Sequence, residues 1–352
     1  MTAEPATEAG IRAAIIDAPG AQPRLGSVVL PRLTPGSSLL SVIAAPLNPL
    51  DLTIASGTFH SARHEAPYVP GSECVATVIE SDRFSPGCVV YAECHASPAT
   101  PGALATQAIV ADEDLLPLPD GLDPVLGAAV GNAGTAAFMP LIEQAGLSSG
   151  DTVLVLGATG AVGQLAVQVA HRHGAARVVG VGRDRAMLQR LLGLGADAVV
   201  ELRAGEDTED LAARLLAAAG PVDVVVDCLY GAPLEAALRV CATRARVVNV
   251  GNLAAAGALV PAGLLRGKQL TVSGFAGVHI ALRDKQRALS WLWSAVARGD
   301  LQIEVRTFPL DDVAAAWQAQ SGSPHAKCVV LPGSRPTGFE PSPSAALTPA
   351  AK

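Results

Sequence analysis

The chain has 352 residues, of which 50% are apolar and 3% aromatic, and it carries a formal net charge of −7 at pH 7. An acidic balance with so few aromatic side chains argues against a nucleic-acid partner, because phosphate binding needs clustered positive charge and stacking groups. The composition also excludes collagen-like, wholly disordered and disulfide-dense proteins, and the length indicates two domains.

The N-terminal ten residues are polar and acidic, so they lack the basic start and apolar centre of a signal peptide. Apolar stretches long enough to cross a membrane are interrupted by Gly, Pro or charged residues. The six cysteines are scattered without a Cys-x-x-Cys pair, which is typical of reduced thiols. We therefore expect a soluble cytoplasmic protein with no membrane partner.

The first 120 residues are rich in Pro and Gly, and their apolar residues fall in short runs. Short apolar runs between turn residues are typical of β-strands. The predicted strands cover residues 27–30, 39–45, 74–80, 88–92 and 105–110. This part of the chain is predicted to form an irregular β-rich domain, after which residues 123–145 show helical spacing.

From residue 152 to about residue 274, apolar strands alternate with helical segments rich in Ala and Leu. The predicted strands are 152–156, 177–181, 197–200, 222–227, 245–250 and 270–273, and the helices lie near 162–173, 185–192, 209–218 and 233–242. Apolar strands separated by helices form parallel sheets that are covered on both faces. Six such strands predict a doubly wound α/β domain of the dinucleotide-binding type.

The C-terminal part resumes the mixed pattern. It predicts helices over 282–298 and 310–320, strands over 302–309 and 327–331, and a disordered tail over 333–352, which is rich in Pro, Ser and Ala. We therefore predict a dinucleotide-binding domain over 123–279 and a substrate domain formed by 1–122 and 280–332.

Three glycines, Gly157, Gly160 and Gly163, lie between the first strand of the alternating region and the helix that follows. The first permits a tight turn, the second lets the backbone approach a pyrophosphate, and the third permits close packing of helix and strand. The helix N-terminus at Ala161 and Val162 would face the pyrophosphate charge. The alternative is a glycine-rich turn that binds no nucleotide.

The end of the next strand decides which nucleotide is preferred. NAD sites usually place Asp or Glu there to accept the ribose 2′-hydroxyl. Here Gly182 occupies that position and is followed by Arg183, Asp184 and Arg185. A small neutral residue beside a guanidinium suits a 2′-phosphate, which favours NADPH. Two alternatives stay open, because Asp184 could pair with either arginine and Arg183 could be a solvated loop residue.

Four features in fixed order carry a resemblance to a known family. They are Pro46-Leu47-Asn48-Pro49-Leu50-Asp51 with Gly57, Pro70-Gly71-Ser72-Glu73 before a strand, Gly131-Asn132-Ala133-Gly134-Thr135-Ala136, and the glycine turn. In these features the chain resembles the medium-chain dehydrogenase/reductase superfamily, on its zinc-independent quinone-oxidoreductase side, over about residues 11–332. The resemblance implies a GroES-like β-rich catalytic domain beside a Rossmann domain.

Zinc-dependent members of that superfamily hold a catalytic metal with Cys, His and Cys. The matching positions here are Asn48, Ser72 and Gly131, which are not zinc ligands of that kind. The four-cysteine structural zinc lobe has no counterpart either, because only Cys88, Cys94 and His95 stand near its place. We therefore expect no metal, and a conjugated acceptor such as an enone or a quinone, which delocalises the incoming charge without one.

Two other groups of side chains could hold a metal. His60 and His64 are four residues apart and precede Glu65, but the nearby Pro and Gly indicate a loop with solvated imidazoles. Cys94 and His95 are adjacent without a third ligand at metal spacing, which favours a reduced strand cysteine beside a surface histidine.

The resemblance implies that Asn48 and Asp51 line the substrate site, although Asp51 could instead be a turn or helix-cap residue. Relatives often carry Tyr two residues after the Asp51 position, where this chain has Thr53. Since a threonine is a poor acid, water, a substrate hydroxyl or Tyr68 is the expected proton donor.

The resemblance also implies further coenzyme contacts. Thr135 would contact the nicotinamide, Gly251 and Asn252 would follow the fifth strand at its carboxyl edge, and Phe275 would help to close the carboxamide pocket. Lys327 in the last strand would help to bind a cofactor phosphate.

Together these residues predict an NADPH-dependent oxidoreductase that transfers hydride to a conjugated carbonyl or quinone without metal. The alternatives are a non-catalytic NADPH-binding or sensing protein, or an alcohol dehydrogenase of the same superfamily. Because pairing through the edge of the sixth strand is common in the family, we also expect a homodimer.

Overall fold

A computed structural model describes residues 10–59 and 65–333 of the chain. His60 and His64, one of the candidate metal pairs, lie outside the described residues, as does the predicted tail from residue 334 onward. The chain divides into two units. The first unit takes its described residues from Met1–Gly131, Ala281–Gln286 and Glu304–Lys352, and the second from Asn132–Ile280 and Arg287–Ile303.

The N-terminal part of the chain is built from strands with two short helices. The strands are β1 Ile11–Ile15, β2 Arg24–Val28, β3 Ser37–Pro46, β4 Glu73–Glu80, β5 Val89–Glu93, β6 Gln107–Ala111 and β7 Leu115–Pro117. The helices are α1 Pro49–Ala55 and α2 Pro124–Ala129, each opened by a proline, which needs no hydrogen-bond partner for its nitrogen at that position.

The second unit alternates strands with helices. After α3 Gly131–Met139 and a π-helical turn at Pro140–Gln144, the elements are β8 Thr152–Leu156, α4 Ala161–Arg172, β9 Arg177–Gly182, α5 Arg185–Leu192, β10 Ala198–Glu201, α6 Thr208–Ala219, β11 Val222–Asp227, α7 Ala232–Val240, β12 Cys241–Asn249, α8 Ala262–Lys268 and β13 Thr271–Gly274. Asp184 caps α5 and Asp207 caps α6, each by accepting a backbone N–H at 2.8 Å.

The six strands of the second unit form one parallel sheet in the order β10-β9-β8-β11-β12-β13. The predicted doubly wound sheet of six parallel strands is thus confirmed. Strand β8 has β9 on one side and β11 on the other, so the direction in which the chain winds reverses at its carboxyl end. In sheets of this kind, ligands bind at that reversal.

The last elements are α9 Leu282–Ala297, β14 Val305–Pro309, α10 Val313–Ser321 and β15 Lys327–Leu331. In the first unit, a seven-stranded sheet runs in the order β14-β15-β3-β4-β5-β7, with β6 also paired to β3. Strand β3 is central to this sheet, because its first half pairs with β6 and its last residues pair with β15. The predicted β-rich domain is confirmed, and strands from both ends of the chain build it.

The first unit has its own buried core beneath this sheet. Fully buried side chains from β3 to β5 line it, with Trp317 of α10 packed among them. None of the described helices is both long and apolar enough to span a bilayer.

Candidate active site

The glycine turn between β8 and α4 lies at the carboxyl end of β8, where the sheet order reverses. Gly157 has a φ of +83°, a conformation that strongly favours glycine. A Cβ on Gly163 would lie 2.3 Å from the carbonyl oxygen of Gly157, so only glycine lets α4 start this close to the turn. At Gly160 the single atom within 4 Å of a Cβ is the Gly157 oxygen, at 3.6 Å, which leaves its outer side open.

The geometry of this turn fits a diphosphate. The first N–H groups of a helix have no partners within the helix, and the N-cap residue of α4 is Gly160, which has no side chain to cap them. Ala161 and Val162 are partly exposed. Their N–H groups and the helix dipole therefore present an anion site directly beside the open face of Gly160.

Neighbouring groups hold the turn in place. The backbone N–H groups of Gly157 and Ala158 both donate to the Val181 carbonyl of β9, at 2.9 and 2.8 Å. From the other side, the buried Gln164 donates from Nε2 to the Thr159 carbonyl at 2.8 Å. Sequence reasoning missed Gln164, because a glutamine on a helix carries no signal of its own until the fold places it beneath the turn.

The residues at the end of β9 stand in different environments. Gly182 is buried, whereas Arg183 is exposed and forms no ion pair with any residue that the structure describes. Arg185 contacts Glu201 of β10, with Nη2 2.9 Å from the carboxylate. The open question about the two arginines is thus partly answered, since Arg185 pairs with Glu201 and Asp184 caps α5.

The carboxyl ends of β11 and β12 are joined by two polar side chains that the sequence did not single out. Asp227 is fully buried and accepts the N–H groups of Leu229 and Tyr230, each at 2.9 Å. Asn249 donates to Asp227 at 2.9 Å and to the Gly251 carbonyl at 2.7 Å. Burial raises the pKa of the Asp227 carboxyl. Both loops at this edge are therefore fixed to each other.

The other predicted coenzyme residues of the second unit lie near this edge or in α3. Gly251 follows β12, Asn252 is exposed, and the Phe275 N–H donates to the Asn249 carbonyl at 2.8 Å. Thr135 is buried, and its hydroxyl donates to the Asn132 carbonyl at 3.0 Å. Gly251, Asn252 and Phe275 thus lie at one edge of the sheet. The Thr135 hydroxyl has its hydrogen-bond partner within α3.

In the first unit, a buried polar cluster surrounds Glu73, the first residue of β4. Asn48 donates from Nδ2 to Glu73 Oε1 at 2.8 Å, and the Tyr91 hydroxyl donates to Glu73 Oε2 at 2.8 Å. The Lys327 ammonium donates to Asn48 Oδ1 and lies 3.6 Å from Glu73 Oε1. All four side chains are at least 98% buried. We call them the Glu73 cluster.

The resemblance places the ligands of a catalytic zinc at Asn48, Ser72 and Gly131. Asn48 belongs to the Glu73 cluster, and Gly131 lies against it. Asn48 has both halves of its amide engaged, by Lys327 and by Glu73. A Cβ on Gly131 would lie 2.3 Å from Glu73 Oε2 and 2.5 Å from a ring carbon of Tyr91, so no ligating side chain fits there. The residues present do not fit a catalytic zinc ion, because the Asn48 oxygen accepts from Lys327, the Ser72 hydroxyl is bonded to Asp51, and Gly131 has no ligating side chain.

Lys327 was predicted to bind a cofactor phosphate. The structure buries its side chain within the Glu73 cluster, where the ammonium already has two oxygen partners. Its phosphate contact stays a prediction.

Asp51 lies beside this cluster at the start of α1. Its carboxylate accepts the Asn48 N–H at 2.7 Å. This is the contact of a helix-capping residue, one of the two roles expected for Asp51. Asp51 is 97% buried, and burial raises its pKa to about 6 despite hydrogen bonds from Asn48 and Ser72. The carboxyl therefore changes charge close to neutral pH.

Two hydroxyl groups were weighed as proton donors. The Thr53 hydroxyl donates to the Pro49 carbonyl at 2.8 Å within α1, so it is already used by its own helix. Tyr68 is buried, and burial together with the nearby Asp51 charge raises its pKa to about 12. The Tyr68 hydroxyl therefore keeps its proton throughout the physiological range.

The Cys94–His95 pair has ordinary partners. Cys94 Sγ lies 4.0 Å from Cys74 Sγ, and His95 pairs with Asp114 at 3.4 Å. Within the described ranges, no group of three His, Cys, Asp or Glu side chains could hold a metal ion.

Comparison with known proteins gives the same family in both units. The model of the alcohol dehydrogenase GroES-like domain matches residues 34–120, and the model of the zinc-binding dehydrogenase family matches residues 161–294. The quinone oxidoreductase of Rattus norvegicus is 32% identical over 229 residues, which cover 64% of this chain and 67% of that protein.

Two further relatives are informative. The 2-methylene-furan-3-one reductase of Solanum lycopersicum is 32% identical over 194 residues, covering 53% of this chain and 49% of that protein. The quinone oxidoreductase of Thermus thermophilus, solved alone and with NADPH, superposes with a TM-score of 0.75 at 28% identity, covering 91% of this chain and 99% of that one.

The two folds, their order along the chain and these matches define an oxidoreductase of two unlike domains. The chain belongs to the medium-chain dehydrogenase/reductase superfamily, and within it to the quinone oxidoreductase-like proteins. The predicted resemblance is thereby confirmed.

Replacing Gly131 with Ala tests how tightly the Glu73 cluster fills the metal position. We expect the free energy of unfolding to fall by about 1–3 kcal/mol, because the new methyl group must displace Glu73 or Tyr91. Urea unfolding measures it. Gly267→Ala in α8, where no atom lies within 4 Å of a Cβ, is the matched control and should be neutral or stabilising. Equal effects of the two changes would contradict this packing.

Replacing Asp51 with Asn tests its titration. The folded-state pKa of about 6 lies above the ordinary 3.8, so the folded protein holds this proton more tightly and loses that stabilisation as pH rises through about 6. Between pH 4.5 and pH 7 the wild type should therefore lose about 2 kcal/mol of unfolding free energy that the variant, which has no carboxyl at this position, does not lose. Urea unfolding at both pH values checks this, with the exposed Asp120→Asn as control. A difference that does not change with pH would show that Asp51 does not titrate in this range.

Proposed function

We propose that this chain is an NADPH-dependent oxidoreductase that passes hydride to a conjugated carbonyl compound or a quinone without a metal. The observation that carries the proposal is the anion-binding turn at the reversal of the sheet, beside a strand that ends in Gly182 and Arg183. The relatives support it, since one is a quinone oxidoreductase solved with NADPH and another reduces a methylene-furanone.

The second unit would hold the coenzyme through groups described above. Gly157 and Gly160 would let the diphosphate approach the N–H groups of Ala161 and Val162. The Arg183 guanidinium is exposed and can donate two hydrogen bonds to a 2′-phosphate. Arg185 would add positive charge nearby while it stays paired with Glu201.

The carboxyl edge of β12 and β13 would receive the other end of the coenzyme. The reduced nicotinamide would supply the hydride. Gly251, Asn252 and Phe275 would contact it there, and the Asn249 side chain would keep the Gly251 carbonyl in a fixed direction. Thr135 would contribute from α3.

In the first unit, Asp51 and Tyr68 are the proposed catalytic residues, and Asn48, which the sequence analysis grouped with them, is a proposed positioning residue. Asn48 is held by Lys327 and Glu73, so its role would be to keep α1 and Asp51 in place. Tyr68 would donate a proton to the reduced acceptor, with Asp51 beside it, and water or a substrate hydroxyl is the alternative donor. Hydrogen bonds, rather than a metal, would stabilise the charge on the acceptor oxygen.

Stopped-flow oxidation of NADPH with a panel of enones and quinones tests the proposal. We expect turnover with at least one conjugated acceptor and none with saturated alcohols under the same conditions. Tyr68→Phe should lower kcat by about 10²-fold or more while leaving the KM for NADPH unchanged, because general acid catalysis contributes about that much. Tight NADPH binding without turnover of any acceptor would contradict the proposed reaction.

Arg183→Ala tests the coenzyme separately within the same experiment. The Kd for NADPH should rise about tenfold or more and that for NADH should not change, because a hydrogen bond to a charged group contributes about 1.5–3 kcal/mol. The control is Arg203→Ala, an exposed arginine of the same unit. Equal effects on both coenzymes would overturn the 2′-phosphate assignment.

We propose that the protein forms a homodimer through the edge of β13. This strand pairs with β12 on one side, and Val272 on it is 39% exposed. Light scattering should give twice the chain mass of 35.6 kDa. Val272→Lys should shift the mass toward the monomer, because a lysine on an edge strand opposes pairing with another edge. The exposed Leu253→Lys is the control, and a monomeric wild type would refute the dimer.

A further inference from the structure

The end of β9 carries two glycines that face the glycine turn. Strand residues two apart point to the same side of a sheet, so Gly180 and Gly182 share one face. A Cβ on Gly180 would lie 3.2 Å from the Ala158 Cβ and 2.9 Å from a methyl carbon of Leu191. A Cβ on Gly182 would lie 2.6 Å from Thr159 Cγ2 and 3.1 Å from its Oγ1. Gly182 therefore leaves room for Thr159 of the turn, and Gly180 leaves room for Ala158 of the turn and Leu191 of α5.

Thr159 cannot easily move away from Gly182. The two residues before it are hydrogen-bonded to Val181, directly next to Gly182, and its own carbonyl accepts from the buried Gln164. Thr159 is itself 93% buried. As a β-branched residue it has few favoured side-chain rotamers, which restricts how far rotation can relieve the contact.

Gly182 is the position at which NAD enzymes usually place an acidic residue for the ribose 2′-hydroxyl. Any side chain there must begin with a Cβ that meets Thr159 at 2.6 Å. Thr159 of the turn thus occupies the space that an Asp or Glu side chain at position 182 would need. This steric effect is independent of the charge that Arg183 contributes.

From this contact we infer that Thr159 is a residue that determines coenzyme specificity, because it keeps position 182 free of an acidic side chain and so excludes an NADH-type site. The inference rests on the proposed function, in which the coenzyme is NADPH. It adds that the preference depends on a pair, Thr159 with Gly182, and that the acidic residue alone cannot reverse it.

The contact is tested first without coenzyme. Gly182→Ala should lower the urea midpoint of unfolding, and adding Thr159→Ala should restore most of that loss. Gly180→Ala is the matched control, because its new methyl group meets Leu191 and Ala158 rather than Thr159, so Thr159→Ala should not rescue it. If Thr159→Ala rescues neither variant or both equally, the steric pair does not exist and the inference is wrong.

Coenzyme binding is then measured by calorimetry. Gly182→Asp alone should weaken the binding of both coenzymes about tenfold or more, because the turn is displaced. The double variant Thr159→Ala/Gly182→Asp should regain NADH binding by at least about tenfold over Gly182→Asp and should bind NADPH poorly, since a carboxylate repels the 2′-phosphate. The result that would overturn the inference is equal NADH binding by Gly182→Asp and the double variant.

The two parts of the experiment separate this inference from the proposed function. If the wild type binds neither coenzyme, the proposed function fails, while the urea comparison still reports whether Thr159 closes position 182. If the wild type prefers NADPH but the substitutions at 159 and 182 act independently, the proposed function stands and this inference fails.

Discussion

The central constraint in the second unit is a backbone contact, in which one carbonyl of β9 accepts two N–H groups from the turn after β8. This contact brings the turn onto the end of the neighbouring strand, where the side chains of Ala158 and Thr159 leave no room for a side chain at position 180 or 182. This close approach requires glycine at four positions. Gly157 has a positive φ, and a Cβ would collide with neighbouring atoms at Gly163, Gly180 and Gly182. The open N-terminus of α4 is its consequence, since a helix that starts this close to the strand presents its free N–H groups at the sheet edge.

The main constraint in the first unit is different: charged side chains are buried there. Glu73 is almost fully enclosed, and an enclosed carboxylate needs both hydrogen bonds and a counter-charge. Tyr91, Asn48 and Lys327 supply them from three separate segments of the chain. The Lys327 ammonium thus contributes positive charge beside Asn48, one of the positions at which the resemblance places a zinc ligand. Beside this cluster, burial raises the pKa of Asp51 to about 6, so the charge of its carboxyl is sensitive to pH near neutrality.

The sequence predicted the fold well wherever burial is regular. All six parallel strands and the helix over 185–192 were anticipated, because fully buried strands read as continuous apolar runs. Strand β1 was missed, since two alanines at its centre give little apolar signal, and their burial comes from residues distant in sequence such as Val69 and Ala105. Helix α8 was missed for a related reason, because it buries no residue and contains two glycines.

For the site, motifs indicated the glycine turn and singled out Asn48 and Lys327, but they did not predict that these two side chains meet at Glu73. Asn48 and Lys327 are 279 positions apart, and nothing in either segment indicates the other. Thr159 carried no signal, because its significance lies in a distance to a glycine on another strand. Asp227 and Asn249 act through loops that only the sheet brings together.

The arrangement of the first sheet has a consequence for biosynthesis. Strand β15 lies between β14 and β3, and its first residue is the lysine that neutralises Glu73. While the ribosome is still making the chain, the N-terminal strands have neither this neighbour nor this cation. The first sheet can therefore be completed only after residues 327–331 have been synthesised, whereas the α/β unit is made earlier, in one almost continuous stretch, and can form before it.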